Sequence, residues 1–177
     1  MVITGARQTG KTTLVRSRYP NLNYINLDAL EEREALAGLR TTAWGKTVGH
    51  AIIDEAQKEP SVFEKVKWAF DGGEIDFSVL TGSSRILLLS SVRETLAGRA
   101  FLYDLWPLMA SELRSDADEK PDYPLIHHII SGSGTISSVL EAQRPLLLGN
   151  EEDILIEAIE HLSQWGGMPG LLPPAVG

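Results

Sequence analysis

The sequence of 177 residues has no cysteine, no long apolar run and no excess of basic residues. Without cysteine the chain has neither disulfides nor thiolate metal sites, which fits a reducing cytoplasm. Because there is no run of about 18 apolar residues and no secretory leader pattern, we expect a soluble, cytoplasmic protein without membrane contacts. The net charge of −8 argues against direct nucleic acid binding through a broad basic surface.

The sequence does contain enough apolar residues, 43% of the chain, for one sizeable core. Short apolar segments alternate with helical patterns through the first hundred or so residues, and another helical pattern begins at Asn150 and ends at Gly166. The expected strands cover residues 1–4, 23–28, 51–53, 77–81 and 100–105. Strands that alternate with helices predict an α/β fold with a parallel sheet covered by helices on both faces.

One motif follows the first expected strand directly. Residues 5–12, GARQTGKT, fit the P-loop pattern GxxxxGK[ST] at every fixed position. Its glycines let backbone N–H groups turn toward phosphate oxygens, and the next helix adds the positive end of its dipole. We expect Lys11 to reach the β- and γ-phosphates and the Thr12 hydroxyl to ligate Mg²⁺. The alternative is an ordinary glycine turn with an incidental lysine. The expected nucleotide-binding residues are Gly5, Ala6, Arg7, Gln8, Thr9, Gly10, Lys11, Thr12 and Thr13.

A second motif ends the third expected strand, AIIDE. An apolar strand that ends in two carboxylates is the Walker B arrangement, in which the strand delivers Asp54 to the metal ion. Glu55, one residue later, is placed to polarise a water for attack on the γ-phosphate. Read alone, the same pair could be a solvated strand end. Beside a P-loop, it predicts ATP hydrolysis rather than binding alone.

Hydroxyl and guanidinium groups follow the fourth expected strand. A hydroxyl there could sense the γ-phosphate or hold the attacking water, and Thr81 is the first candidate and Ser83 the second. A serine-rich turn that satisfies its own backbone is the alternative. Arg85, Arg93 and Arg99 are candidates for an arginine finger, from the same or a neighbouring subunit, although each could instead form a surface salt bridge.

Other conspicuous residues are assigned structural roles. His127 and His128 are adjacent, point opposite ways on a strand and lack the spacing to chelate a metal together. The four tryptophans are expected mainly in the core, although Tyr24 or Trp44 could touch an adenine ring.

Five blocks of the sequence together resemble the prokaryotic AAA-type ATPases called AAA_14, strongly over residues 2 to about 113: ITGARQTGKTTL, NYINLD, AIIDEAQKEPSVFEKVKWAFD, SVLTGSSRILLLSSVRETLAGRAFLYDLWPLMASEL and, more weakly, GGMPGLL. The resemblance implies a P-loop NTPase of the additional-strand, catalytic-glutamate class, with strand order 5-1-4-3-2. It also implies that Asp54 binds metal, that Glu55 is catalytic, that Thr81 belongs to the sensor block and that Arg99 is a candidate for a finger.

The resemblance also shapes the expected domain organisation. We expect a P-loop ATPase core at 1–113, a connector or insertion at 114–149, and the helical start of a truncated lid or C-terminal region at 150–177. Family members usually have a longer strand before the P-loop. They also usually continue into a winged-helix-like region and a second domain. The sequence therefore predicts an isolated or truncated ATPase half.

The sequence thus favours an ATP-binding, Mg²⁺-dependent hydrolase that acts alone, as a homo-oligomer or with a protein partner. A nucleotide-gated switch with negligible turnover is the main alternative, and a non-enzymatic remnant is a third. A GTPase is disfavoured because no [NT]KxD segment follows the fourth strand. A small-molecule kinase is disfavoured by the acidic pair and by the lack of an arginine-rich lid.

Overall fold

The computed structural model describes residues 1–113, 125–132, 135–141 and 150–172. Contacts between Cα atoms divide the chain into two compact units, Met1–Trp106 and Pro107–Gly177. The predicted domain boundaries, with a core at 1–113 and a last segment at 150–177, stay predictions.

A five-stranded parallel sheet forms the centre of the first unit. Its strands are β1 (Val2–Thr4), β2 (Asn23–Asn26), β3 (Ala51–Asp54), β4 (Val79–Gly82) and β5 (Leu102–Asp104). They lie in the order β2-β3-β4-β1-β5, which is the predicted order read from the other edge. The predicted α/β fold of the P-loop NTPase type is therefore confirmed. Although β1 is short, each of its residues pairs with both β4 and β5.

Helices connect these strands as parallel pairing requires. They are α1 (Lys11–Arg18), α2 (Leu30–Gly38), α3 (Trp44–Thr47), α4 (Ser61–Asp71) and α5 (Arg85–Thr95). Short 3₁₀ turns occur at Thr41–Ala43 and Ala56–Lys58. The apolar strands supply side chains to both faces of the sheet, because successive residues of a strand point in opposite directions. Thus Ile53 packs into a large cluster with Trp44 and Phe63, whereas Ile52 packs into a smaller cluster with Val15 of α1.

Two local expectations in the first unit are wrong. The sequence predicts a helix over residues 91–97, but α5 covers Arg85–Thr95 and includes the apolar run 86–89, which has no helical period of its own. Ser61 and Glu64 have the spacing of a capping box, which predicts that Ser61 caps α4, but Ser61 is the first helical residue. Its buried Oγ has no hydrogen-bond partner within the described parts of the chain. A helix capped by Ser61 would begin at the next residue. Helix α4 begins one residue earlier, because Pro60 occupies the capping position.

The tryptophans also differ from expectation. Trp44 is fully buried, but the other three are more than half exposed: Trp68, Trp106 and Trp165. Trp68 is exposed because α4 turns a different stripe toward the sheet, formed by Val62, Val66 and Ala69. Apolar residues on a helix are buried only where they share the face that meets the core.

The second unit is helical where the structure describes it. It contains α6 (Ala110–Leu113), α7 (Leu125–Ile130), α8 (Ile136–Glu141) and α9 (Asn150–Trp165), with a 3₁₀ turn at Pro169–Leu171. His127 and His128 therefore lie on a helix and not on a strand. Helices α7 and α8 fall within the predicted connector, the rest of which lies outside the described residues.

Helix α9 has the expected limits, and Gly166 follows it with a left-handed φ of 74°. The sequence predicts one apolar face for this helix, formed by Leu155, Ala158, Ile159, Leu162 and Trp165. Of these residues, Ala158 is buried and Leu155 and Leu162 are half-buried. Ile159 and Trp165 on the same predicted face are exposed. Among the helices that the structure describes, each is too short or too polar to cross a membrane.

Candidate functional site

The carboxyl ends of β1, β3 and β4 meet at one edge of the sheet. The register pairs Thr4 of β1 with Gly82 of β4, and Ile53 of β3 with Leu80 of β4. The ends of these strands and the segments that follow them therefore converge, and they contain the glycine-rich loop, the acidic pair and the hydroxyl cluster found in the sequence. Such an edge is where ligands bind in open parallel sheets.

Backbone geometry explains the two glycines of the loop. Gly10 has a left-handed φ of 88° and lies immediately before α1, where a side chain would strain the backbone. A Cβ atom on Gly5 would collide with the carbonyl oxygen of Leu105. The loop can thus approach β5 closely and turn into α1 only with glycine at both positions.

The lysine of the P-loop motif, Lys11, is buried against the loop backbone. Lys11 is 6% exposed, and its Nζ donates hydrogen bonds to the carbonyl oxygens of Gly5 at 3.0 Å and Ala6 at 2.6 Å. Burial lowers the pKa of Lys11, while the nearby carboxylates of Glu55 and Asp54 oppose this change. The next residue, Thr12, donates to the carboxylate of Asp54, so the P-loop and the acidic pair form one site.

The remaining loop residues fall into two groups. Thr9 is buried, and its hydroxyl donates to the Ala6 carbonyl oxygen at 2.9 Å, which braces the loop from within. Arg7, Gln8 and Thr13 are exposed, and Gln8 has a left-handed φ of 64°. The predicted contacts of these exposed side chains with a nucleotide stay predictions.

Hydrogen bonds from two strands, from α1 and from the residue after β3 converge on Asp54. Its Oδ2 accepts bonds from the hydroxyl of Thr12 at 2.6 Å and from that of Tyr24 at 2.9 Å. Its Oδ1 accepts bonds from the Thr81 hydroxyl and, at 3.1 Å, from the backbone N–H of Glu55. Burial opposes ionisation of this carboxyl, but the donated bonds outweigh burial and lower the pKa of Asp54. Asp54 is thus a fixed, negatively charged group beside Thr12.

The neighbouring carboxylate, Glu55, has hydrogen-bond partners of its own. Its backbone is left-handed, with a φ of 54°, so its side chain leaves the line of β3. Oε2 accepts hydrogen bonds from the Ser83 hydroxyl at 2.9 Å, from the Ser83 N–H at 3.3 Å and from the Gln57 amide. Ser83, the second candidate in the hydroxyl cluster, therefore contacts Glu55, while Thr81 contacts Asp54.

The candidate arginines are not part of this cluster. Arg99 precedes β5, so it lies at the amino edge of the sheet, opposite the loop, and it pairs with Asp71 at 2.6 Å. Arg85 lies at the carboxyl edge and pairs with Asp104 of β5 at 3.0 Å. Arg93 is exposed on α5. Arg99 therefore does not reach the P-loop of its own chain. Its role as a finger stays a prediction, and it would require Arg99 to reach the P-loop of a second copy of the protein.

Two residues of the cluster were not predicted. Tyr24 was considered as an adenine contact, but its hydroxyl donates a hydrogen bond to Asp54. Burial and this hydrogen bond raise the pKa of Tyr24 to about 12. Gln57 was not considered at all. The sequence signal for Tyr24 is its position on β2, the strand that the family order places beside β3. Tyr24 pairs with Ile52, two residues before Asp54, so Tyr24 and Asp54 lie on the same face of the sheet.

The donor atoms of the cluster suit Mg²⁺, which prefers hard oxygen ligands and is usually held by one or two carboxylates together with phosphates and waters. The Thr12 hydroxyl and Asp54 carboxylate are such ligands, and they lie side by side. Within the described parts of the chain, His, Asp and Glu do not gather in groups of three that could hold a metal unaided. The site thus fits a metal bound jointly with a phosphate ligand.

Comparison with known families agrees with this geometry. The family model AAA_14, described as an AAA domain, matches residues 1–114, which include the sheet, the loop and both carboxylates. Membership of this family indicates nucleotide binding in general. No curated protein matches the chain significantly.

Proposed function

Because the chain belongs to the AAA_14 family of AAA domains, we propose that it binds ATP with Mg²⁺ and hydrolyses the γ-phosphate. The observation that carries the proposal is the junction of the two motifs. The Thr12 hydroxyl of the P-loop donates to the Asp54 carboxylate at 2.6 Å, and Glu55 follows Asp54 directly. A P-loop beside a metal-binding carboxylate and a potential general base is the minimal set for ATP hydrolysis.

The loop would bind the triphosphate. Its backbone N–H groups and the amino end of α1 favour negative charge, and Lys11 adds a buried positive charge. Thr12 and Asp54 would hold Mg²⁺, which, when bound, neutralises charge on the phosphate oxygens. The remaining predicted nucleotide contacts come from the loop backbone between Gly5 and Thr13.

Glu55 would act as the general base. As the oxygen of a bound water attacks the γ-phosphorus, the bond between this phosphorus and the β,γ-bridging oxygen breaks, and ADP leaves. Glu55 accepts the proton that the water loses and later releases it to solvent. Ser83 and Gln57 fix the direction of the carboxylate through their hydrogen bonds.

One observation favours the second candidate, a nucleotide-gated switch with negligible turnover. Oε2 of Glu55 already accepts bonds from Gln57 and from both donors of Ser83. This oxygen is therefore already occupied, and it would have to release a donor before it could accept a hydrogen bond from the attacking water. In this reading ATP binding changes the affinity for a protein partner or for a second copy, which could also supply Arg99.

A cytoplasmic location, supported by the lack of cysteine, belongs to the same proposal.

The test separates binding from turnover. We expect Lys11→Ala to lose Mg-ATP binding in calorimetric titration. We expect Glu55→Gln to bind Mg-ATP as the wild type does and to release phosphate at least about 100-fold more slowly, which is within the usual effect of general-base loss. Glu59→Gln, which changes an acidic residue outside the cluster, is the matched control. Absence of wild-type binding at millimolar Mg-ATP overturns the proposal, and turnover unchanged in Glu55→Gln overturns the role of Glu55.

A further inference from the structure

The carboxylate of Asp54 is held from both neighbouring strands. Thr81 on β4 donates to Oδ1, and Tyr24 on β2 donates to Oδ2 at 2.9 Å. The third side-chain donor, Thr12, belongs to the P-loop and is itself assigned to the metal. Among the described residues, Thr81 and Tyr24 are thus the side-chain donors to Asp54 that are not themselves assigned to the metal.

Tyr24 reaches Asp54 because of strand register. In the parallel pair β2-β3, Asn26 lies opposite Asp54 and Tyr24 lies opposite Ile52, so the side chains of Tyr24 and Asp54 share one face of the sheet. The phenol is long enough to extend along this face to the end of β3. A shorter polar side chain at this position would not span the two residues that separate it from Asp54.

The ring of Tyr24 is itself held in place. The guanidinium carbon of Arg16 on α1 lies 4.8 Å from the centre of the ring, a distance at which a cation is attracted to an aromatic face. Tyr24 and Arg16 also line a groove of about 540 Å³ that runs along α1, beginning at Thr12. The ring thus forms a wall of this groove while its hydroxyl reaches the metal-binding carboxylate.

We propose that Tyr24 is a positioning residue that orients Asp54 for Mg²⁺, which links the groove along α1 to the metal site. The inference rests on the proposed function, since it assigns Asp54 to the metal. Groups that hold a metal-binding carboxylate in place commonly change metal affinity about 10- to 100-fold when they are removed. Removing such a group weakens metal binding but does not change the affinity for nucleotide in the absence of metal. A general loss of structure would weaken both.

The test compares Tyr24→Phe with Tyr19→Phe. Both substitutions remove one phenolic hydroxyl from the wall of the same groove, but Tyr19 packs its ring against Phe77 and does not contact Asp54. ATP affinity is measured by titration in EDTA and at increasing Mg²⁺. Binding of Mn²⁺ to the ATP complex is followed by electron paramagnetic resonance, which reports on the metal without requiring turnover.

We expect Tyr24→Phe to need about tenfold more Mg²⁺ for half-maximal binding, with unchanged ATP affinity in EDTA and an unchanged unfolding temperature. Tyr19→Phe should behave as the wild type. In an Asp54→Ala background, Tyr24→Phe should have no further effect on the metal, because the residue acts through Asp54.

The outcomes separate the two proposals. If the wild type binds Mg-ATP and Tyr24→Phe has the same Mg²⁺ requirement, the positioning role is wrong and the proposed function stands. Equal weakening with and without metal, or a matching fall in stability, also overturns the positioning role. If the wild type does not bind Mg-ATP, the proposed function fails, and the inference fails with it.

Discussion

Gly10 shows how one residue serves both the backbone and the ligand site. It lies between the exposed loop and the first helical residue, Lys11, and its φ of 88° is one that residues with a Cβ atom rarely adopt. The same conformation turns the chain so that Lys11 faces back onto the loop carbonyls. A change at Gly10 should therefore affect stability and ligand binding together.

We expect Gly10→Ala to lower the free energy of unfolding by about 1–2 kcal/mol, the cost of a left-handed conformation for an L-residue. Mg-ATP affinity should fall as well, because the loop must relax. Gly38→Ala is the matched control. Gly38 ends α2, and an added Cβ meets no atom within 4 Å among the described residues. Denaturant unfolding should show a small gain of about 0.5–1 kcal/mol for this control, and a loss equal to that of Gly10→Ala would contradict the argument.

The site residues that the sequence identifies are those with a motif of their own. Lys11, Thr12, Asp54 and Glu55 stand in patterns whose spacing follows from phosphate and metal chemistry. The residues that hold these groups in place have no such pattern. Tyr24 acts through strand register, which is a tertiary property that a single sequence does not contain. The roles of the motif residues remain predictions, although the structure brings them together.

At the scale of elements, the end of α2 depends on a side chain from α4. The carbonyl oxygens of Leu36 and Ala37 have no partners within the last turn of α2, as in any helix end. Lys65 donates to both, at 3.0 Å for Ala37, and is only 5% exposed. Its positive charge also complements the negative end of the α2 dipole. The buried lysine thus joins two helices that pack on the same face of the sheet.

We expect Lys65→Met, which keeps the length of the side chain but removes the donor, to destabilise the protein by about 1–3 kcal/mol. Lys67→Met on the same helix is the control. Lys67 is partly exposed and lies 3.9 Å from Glu64, a surface pair worth about 0–1 kcal/mol. Chemical denaturation of both variants measures the difference. Equal effects would mean that the capping bonds of Lys65 add nothing.

The elements that the sequence predicts well are those with strong stop signals. The limits of α9 follow from Asn150 at its start and the glycine after Trp165, and those of α1 follow from the P-loop and Pro20. The wrong expectations, the cap at Ser61 and the late start of α5, concern positions where two local signals compete. A proline before a serine is compatible with more than one first residue of the helix. The same holds for a continuous apolar run after a strand.

At the scale of the whole molecule, the alternation of elements predicts a parallel sheet but does not fix its strand order. The order came from the family resemblance, and the structure and the family match over residues 1–114 confirm it. This order places β4 between β1 and β3, so the P-loop and Walker B strands are not neighbours. The site is therefore assembled from segments far apart in sequence, and it forms only when the sheet is complete.

A ligand that bridges such segments should stabilise the whole first unit. If Mg-ATP binds only the folded state, a concentration 100 times Kd adds about 2.7 kcal/mol to the free energy of unfolding. For a chain of this size, this corresponds to a rise of about 5–10 °C in Tm. Calorimetry or dye-based melting should show this rise for the wild type and not for Lys11→Ala. EDTA should remove the part of the Tm rise that depends on the metal, since Thr12 and Asp54 would then lose their shared ion. A Tm that does not respond to Mg-ATP would mean that the converging segments do not form a nucleotide site.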